Sequence, residues 1–68
     1  MISYYVARNE NGKALALVKI DDDNMAYAWI NGAWDERPSL LKIKFDVTTN
    51  YNEISESEAN RLIERGEV

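Results

Sequence analysis

The run Trp29-Ile30-Asn31-Gly32-Ala33-Trp34 leaves the chain around it little freedom. Asn-Gly accepts the positive φ angles of a type I′ turn, whose twist suits a pair of antiparallel strands. A two-residue turn at 31–32 makes Ile30 and Ala33 the hydrogen-bonded pair beside it. Trp29 and Trp34 then face each other at the next, non-hydrogen-bonded position, where side chains come closest. Two indoles so placed contribute about 0.5–1.5 kcal/mol beyond the area they bury. A hairpin over 25–36 is therefore the firmest local element.

A second Asn-Gly, Asn11-Gly12, lies between two strand-like runs, 2–9 and 13–20. The first is rich in Tyr and Val, and the second is almost continuously apolar. A turn centred on Asn11-Gly12 sets Glu10 against Lys13, Ala7 against Ala16 and Tyr5 against Val18, giving a hairpin over 2–20. Asp21-Asp22-Asp23-Asn24 breaks the pattern, because three adjacent carboxylates do not sit well in a sheet and Asp and Asn favour turns. It does not fit a calcium loop, which needs acids at alternate positions, a glycine at the sixth and a glutamate at the twelfth. Counted from Asp21, those places hold Ala26 and Gly32.

Pro38 ends the second hairpin, and Pro38-Ser39-Leu40-Leu41 suits a helical turn. Residues 42–47 alternate polar and apolar side chains, which makes them a candidate strand, and 48–53 look like a loop. A helix over 56–65 follows. Ser55 is a good N-cap with Glu58 at the capping-box spacing, and Ile54 and Ala59 fit a hydrophobic staple. Ala59, Leu62 and Ile63 form a narrow apolar stripe, and Gly66 supplies the stop. At this length the helix must dock to persist. The expectation is one α+β domain spanning 1–68: an antiparallel sheet of three to five strands, with the helix packed on one face.

Centring the turn between the hairpins on Asp22-Asp23 distributes the side chains between two sheet faces. One then carries Tyr5, Ala7, Ala16, Val18, Ile20, Met25, Tyr27, Trp29 and Trp34. The other carries Ile2, Tyr4, Val6, Leu15, Leu17, Ala28 and Ile30. Both are substantially apolar, whereas a half-buried antiparallel sheet has a polar outer face. One narrow helix cannot cover both. Three arrangements would: segment 38–47 folded over the second face, a face-to-face pair with another copy, or a different protein docked on the surplus. The candidate interface residues are Tyr4, Val6, Leu15, Leu17, Tyr27, Trp29 and Trp34, since Trp and Tyr are enriched in binding hot spots.

Composition narrows the function. A 68-residue chain without Cys or His has no disulfide, no thiolate or imidazole metal site, and no base for a serine nucleophile. Its carboxylate pairs, Asp35-Glu36 and Glu56-Glu58, stand in turn or helix-start settings. The expectation is a non-catalytic protein with no cofactor, metal or catalytic residue. A net charge of −4, with twelve acidic and eight basic residues, opposes a phosphate backbone and argues against nucleic acid. No run approaches the ~18 apolar residues of a membrane span, and Met1-Ile2-Ser3-Tyr4-Tyr5 lacks the features of a signal peptide. Membrane partners are not expected, and the expected compartment is the cytoplasm.

Taken together, Ala16-Leu17-Val18-Lys19-Ile20-Asp21-Asp22-Asp23, the Trp pair, Pro38-Ser39-Leu40-Leu41 and Ile54-Ser55-Glu56-Ser57-Glu58-Ala59 resemble a group of small uncharacterised actinobacterial or phage-borne proteins. The group has no assigned activity, so the resemblance implies a bacterial or phage cytoplasmic origin and nothing about chemistry. The function expected is protein binding through the sheet, as a regulator or inhibitor of a larger bacterial or phage target. The alternative is a structural homodimer subunit with no separate ligand.

Overall fold

The computed structural model describes residues 1–44 and 51–68. Five antiparallel strands, β1 (Ser3–Arg8), β2 (Ala14–Ile20), β3 (Ala26–Ile30), β4 (Ala33–Glu36) and β5 (Tyr51–Ile54), form one open sheet in the order β4-β3-β2-β1-β5. A 3₁₀ segment, Pro38–Lys44, lies on one face, and helix α1 (Glu56–Glu64) lies on the other. The most apolar strand, β2, is thus the central one. Its near-continuous hydrophobic run follows from cover on both faces: Leu17 packs on the α1 side and Val18 and Ile20 on the 3₁₀ side.

The three hairpin turns are of two kinds. At 31–32 the expected two-residue turn is present, with Asn31 at φ 53° and Gly32 at φ 82°, Ile30 opposite Ala33 and Trp29 opposite Trp34. The other two share a three-residue design. Asn9 N–H donates to Lys13 O and Gly12 N–H to Asn9 O, while Asn9 Oδ1 accepts from Asn11 N–H and Lys13 N–H, each at 2.9 Å. At 21–25 the same bonds recur: Asp21 N–H to Met25 O, Asn24 N–H to Asp21 O, and Asp21 Oδ1 accepting from Asp23 N–H and Met25 N–H at 2.9 Å. Gly12 (φ 81°) and Asn24 (φ 61°) take the left-handed place that closes such loops.

This shared design corrects two expectations. Lys13 faces Asn9, not Glu10. The expected pairs Ala7–Ala16 and Tyr5–Val18 are nevertheless present, because the ladder shifts by one between Ala7 and Arg8. Arg8 pairs with Ala14, and Leu15 becomes the extra residue of a bulge. At the second turn no bulge intervenes. Ile20 pairs with Ala26 and Lys19 with Tyr27, one residue away from the pairing that a turn centred on Asp22-Asp23 would give. A one-residue slip moves every side chain to the opposite face. Tyr27, Trp29 and Trp34 therefore lie beside Tyr4, Val6 and Leu17, while Ala28 and Ile30 lie on the side of Tyr5 and Val18.

The 3₁₀ segment covers the face of Tyr5, Val18 and Ile20, not the second face of Tyr4, Val6 and Leu17 over which 38–47 was expected and where α1 lies instead. Ile43 is buried against Val18, Ile20 and Ala26, with Leu40, Leu41, Tyr5 and Tyr51 around them. Lys44 Nζ donates to Asn24 Oδ1 at 3.1 Å, tying the 3₁₀ segment to the second turn. Residues 42–44 continue that 3₁₀ segment instead of opening a strand, and 45–47, the remainder of the candidate strand, lie outside the described residues. The fifth strand comes from residues 51–54, which include part of the expected loop; Tyr4 faces Ile54 and Ala7 faces Tyr51.

Helix α1 starts as its sequence predicts. Ser55 is the N-cap, and its Oγ accepts from Glu58 N–H at 3.1 Å. At the far end Gly66, φ 68°, adopts the left-handed stop. Glu67 N–H donates to Leu62 O and Gly66 N–H to Ile63 O, the bonding pattern of a Schellman motif. Ala59 and Leu62 are buried against Val6, Ala14 and Leu17, with Ile54 and Ile63 at the margin.

Candidate functional site

Two cross-strand rows lie on the α1 face. One runs Ile54–Tyr4–Lys19–Tyr27–Glu36 across β5, β1, β2, β3 and β4. In the neighbouring row Asn52 faces Val6, Val6 faces Leu17, and Trp29 faces Trp34. Helix α1 sits over the β1 side of these rows. The β3–β4 side carries aromatic rings instead.

Those rings form one connected group. Trp29 and Trp34 meet edge-to-face, with centroids 5.2 Å apart and planes at 69°. Trp34 also reaches Tyr4, at 6.3 Å and 56°. The Lys19 ammonium lies 4.5 Å from the Trp34 centroid and 5.3 Å from that of Tyr27. Ring faces carry negative charge density, so this placement is attractive and keeps the lysine stem against the indole. Tyr4, Tyr27, Trp29 and Trp34 are each partly exposed. The result is a wetted aromatic surface continuous with the core.

The seven candidate interface residues divide accordingly. Tyr4, Tyr27, Trp29 and Trp34 come together on this surface. Val6 and Leu17, each 0% exposed, lie in the core beneath α1 and present nothing to a partner in this fold. Leu15 is 62% exposed but stands at the bulge, apart from both hydrophobic clusters. Lys19 also belongs to the surface, although it is not among the candidate interface residues that the sequence singles out. Its signal was its place directly opposite Tyr4, on the face to which the corrected register also brings Tyr27 and Trp34.

The Tyr4 hydroxyl is held above its ordinary pKa of 10.0, first by burial and then by the nearby negative charge of Glu56. Among the described residues there is no pocket, and no group of three or more Asp or Glu side chains is placed to hold a metal ion. No described helix is long and apolar enough to cross a membrane. What the described arrangement offers is an extended contact area. Comparison with protein-family models, with curated proteins and with solved structures found no match.

Proposed function

We propose that this protein is a non-catalytic binding module that engages another protein, a larger bacterial or phage target, through the aromatic surface formed by Tyr4, Tyr27, Trp29 and Trp34. One observation carries this reading: four partly exposed rings, two of them packed on a third, Trp34, share the part of the sheet face beside α1. Large amphipathic rings with few rotatable bonds supply contact area at low entropic cost, which is why Trp and Tyr dominate interface hot spots. Rings already packed on one another lose even less freedom on binding. The absence of Cys and His from the chain supports a role without nucleophilic or imidazole chemistry. The compartment that goes with this reading is the cytoplasm of a bacterial or phage-infected cell.

The test is capture from a bacterial lysate with wild type, Tyr27→Ser and Leu15→Ser. Tyr27 belongs to neither buried cluster, so its replacement leaves the core in place. The proposal expects a reproducible partner that Tyr27→Ser loses and Leu15→Ser keeps. Equal capture by all three proteins, or none by any, defeats it. Light scattering on the same samples identifies the partner as a second copy if the wild type alone is dimeric.

A further inference from the structure

We infer that Asn31 is a site of spontaneous deamidation in the folded protein, and that the other Asn-Gly asparagine, Asn11, is protected from the same reaction. The reaction begins when base removes the amide proton of the following glycine. The exposed nitrogen attacks the asparagine Cγ and a C–N bond forms; Nδ2 takes up a proton from water or the protonated base, the Cγ–Nδ2 bond breaks and ammonia leaves. Water then opens the succinimide ring at either carbonyl, giving aspartate or isoaspartate. Nothing is oxidised or reduced, and water is the only co-reactant. Glycine favours the attack because it has no side chain to obstruct it, and both dipeptides share that advantage. What separates them is the state of the glycine N–H.

In the first turn Gly12 N–H donates to Asn9 O at 3.0 Å. The neighbouring N–H groups of Asn11 and Lys13 both donate to Asn9 Oδ1 at 2.9 Å, and Arg8 Nη1 holds Gly12 O at 3.0 Å. The nucleophile is thus tied down in a loop whose N–H groups at Asn9, Asn11, Gly12 and Lys13 are all bonded. In the third turn, Gly32 N–H has no acceptor among the described residues, and Asn31 and Gly32 are both exposed. Its proton is open to base. Asn31 also occupies the left-handed region, φ 53°, while Asn11 does not.

The isoaspartate product has consequences for the fold. It adds a methylene to the main chain inside a two-residue turn, where the pairing of Ile30 with Ala33 and of Trp29 with Trp34 depends on loop length. It also puts a negative charge at the tip of the hairpin that carries Trp29 and Trp34. Conversion at position 31 should therefore loosen the edge-to-face indole pair.

The experiment is incubation of the purified protein at mildly alkaline pH, with a parallel sample in concentrated urea, followed by peptide mapping and mass spectrometry. The expected result is several-fold faster conversion at position 31 than at position 11 in the folded protein, with comparable rates at the two positions in urea. The circular-dichroism couplet of the Trp29–Trp34 pair should decay in step with isoaspartate at 31. An Asn31→Asp protein, which carries the charge without the extra methylene, should retain it. Equal or faster conversion at position 11 in the folded protein, no conversion at position 31, or the same ratio folded and in urea would overturn the inference.

Discussion

Tyr4 and Trp34 pack with ring centroids 6.3 Å apart, although β2 and β3 separate their strands in the sheet. To meet, both side chains must lie along the sheet surface, with the Lys19 ammonium over the indole ring. Trp34 thereby shields the part of the α1 face that the nine-residue helix does not reach. Two other rings and the α1 cluster lean on it. A Trp34→Ala protein should lose about 2–4 kcal/mol, slightly less than the range for a fully buried ring. Urea unfolding followed by far-UV circular dichroism measures this, and a loss near zero would mean that the ring shields nothing.

The contact between Trp29 and Trp34 is separable from the area each buries. Combining Trp29→Ala with Trp34→Ala in a double-mutant cycle should give a coupling of about 0.5–1.5 kcal/mol. Lys19→Gln should cost about 0.5–1 kcal/mol in wild type by removing the ammonium above the rings. In the Trp34→Ala background that cost should shrink, because the nearer of the two rings is gone.

Asn9 and Asp21 do the same work in two turns, so their replacements should behave alike. Each Oδ1 satisfies two backbone N–H groups. Asn9→Ala and Asp21→Ala should each cost about 1–2 kcal/mol, since the freed amides, three exposed and that of Met25 part-buried, lose a fixed acceptor. Asp21→Asn should cost far less, because an amide oxygen already serves that purpose at Asn9. Equilibrium unfolding of the three variants separates the geometric role of Asp21 from its charge. If Asp21→Asn is as damaging as Asp21→Ala, the charge matters and the parallel fails.

These turns also explain what could be read from the chain directly and what could not. Asn31-Gly32 announces its turn because both residues needed for positive φ are adjacent, and the Trp29–Trp34 pair follows from counting outward. Ser55 and Gly66 mark the ends of α1 by equally local chemistry. The loop at 21–25 depends instead on one side chain accepting two bonds and on Asn24 taking the left-handed place. Asp22-Asp23 at its centre does not reveal that arrangement. The one-residue difference sent Tyr27, Trp29 and Trp34 to the wrong face, and with them the neighbours of the candidate surface. At the first turn the same one-residue difference leaves the inner pairs unchanged, because the bulge at Leu15 cancels it. The strand Tyr51–Ile54 has only four residues, two of them polar, and its pairing with β1 is set by tertiary contact. The aromatic residues of the surface were legible as residue types; their gathering around Lys19 required the register.

Tyr4 ties the surface to pH. Its hydroxyl is neutral when protonated, and the fold raises its pKa above 10.0 through burial and, secondarily, the charge of Glu56. The folded state therefore holds this proton more tightly than the unfolded chain does. The stabilisation is fully present below the unfolded value of 10.0, and it is lost as pH rises from there through the folded value. Urea midpoints measured from about pH 8 to about pH 11 should stay level and then fall for this reason, and Tyr4→Phe should remove its share of the fall. Glu56→Gln should remove a smaller share, since the charge is the lesser cause. A Tyr4→Phe protein whose alkaline decline matches that of wild type would show that the Tyr4 hydroxyl ionises no less readily in the fold than in the unfolded chain.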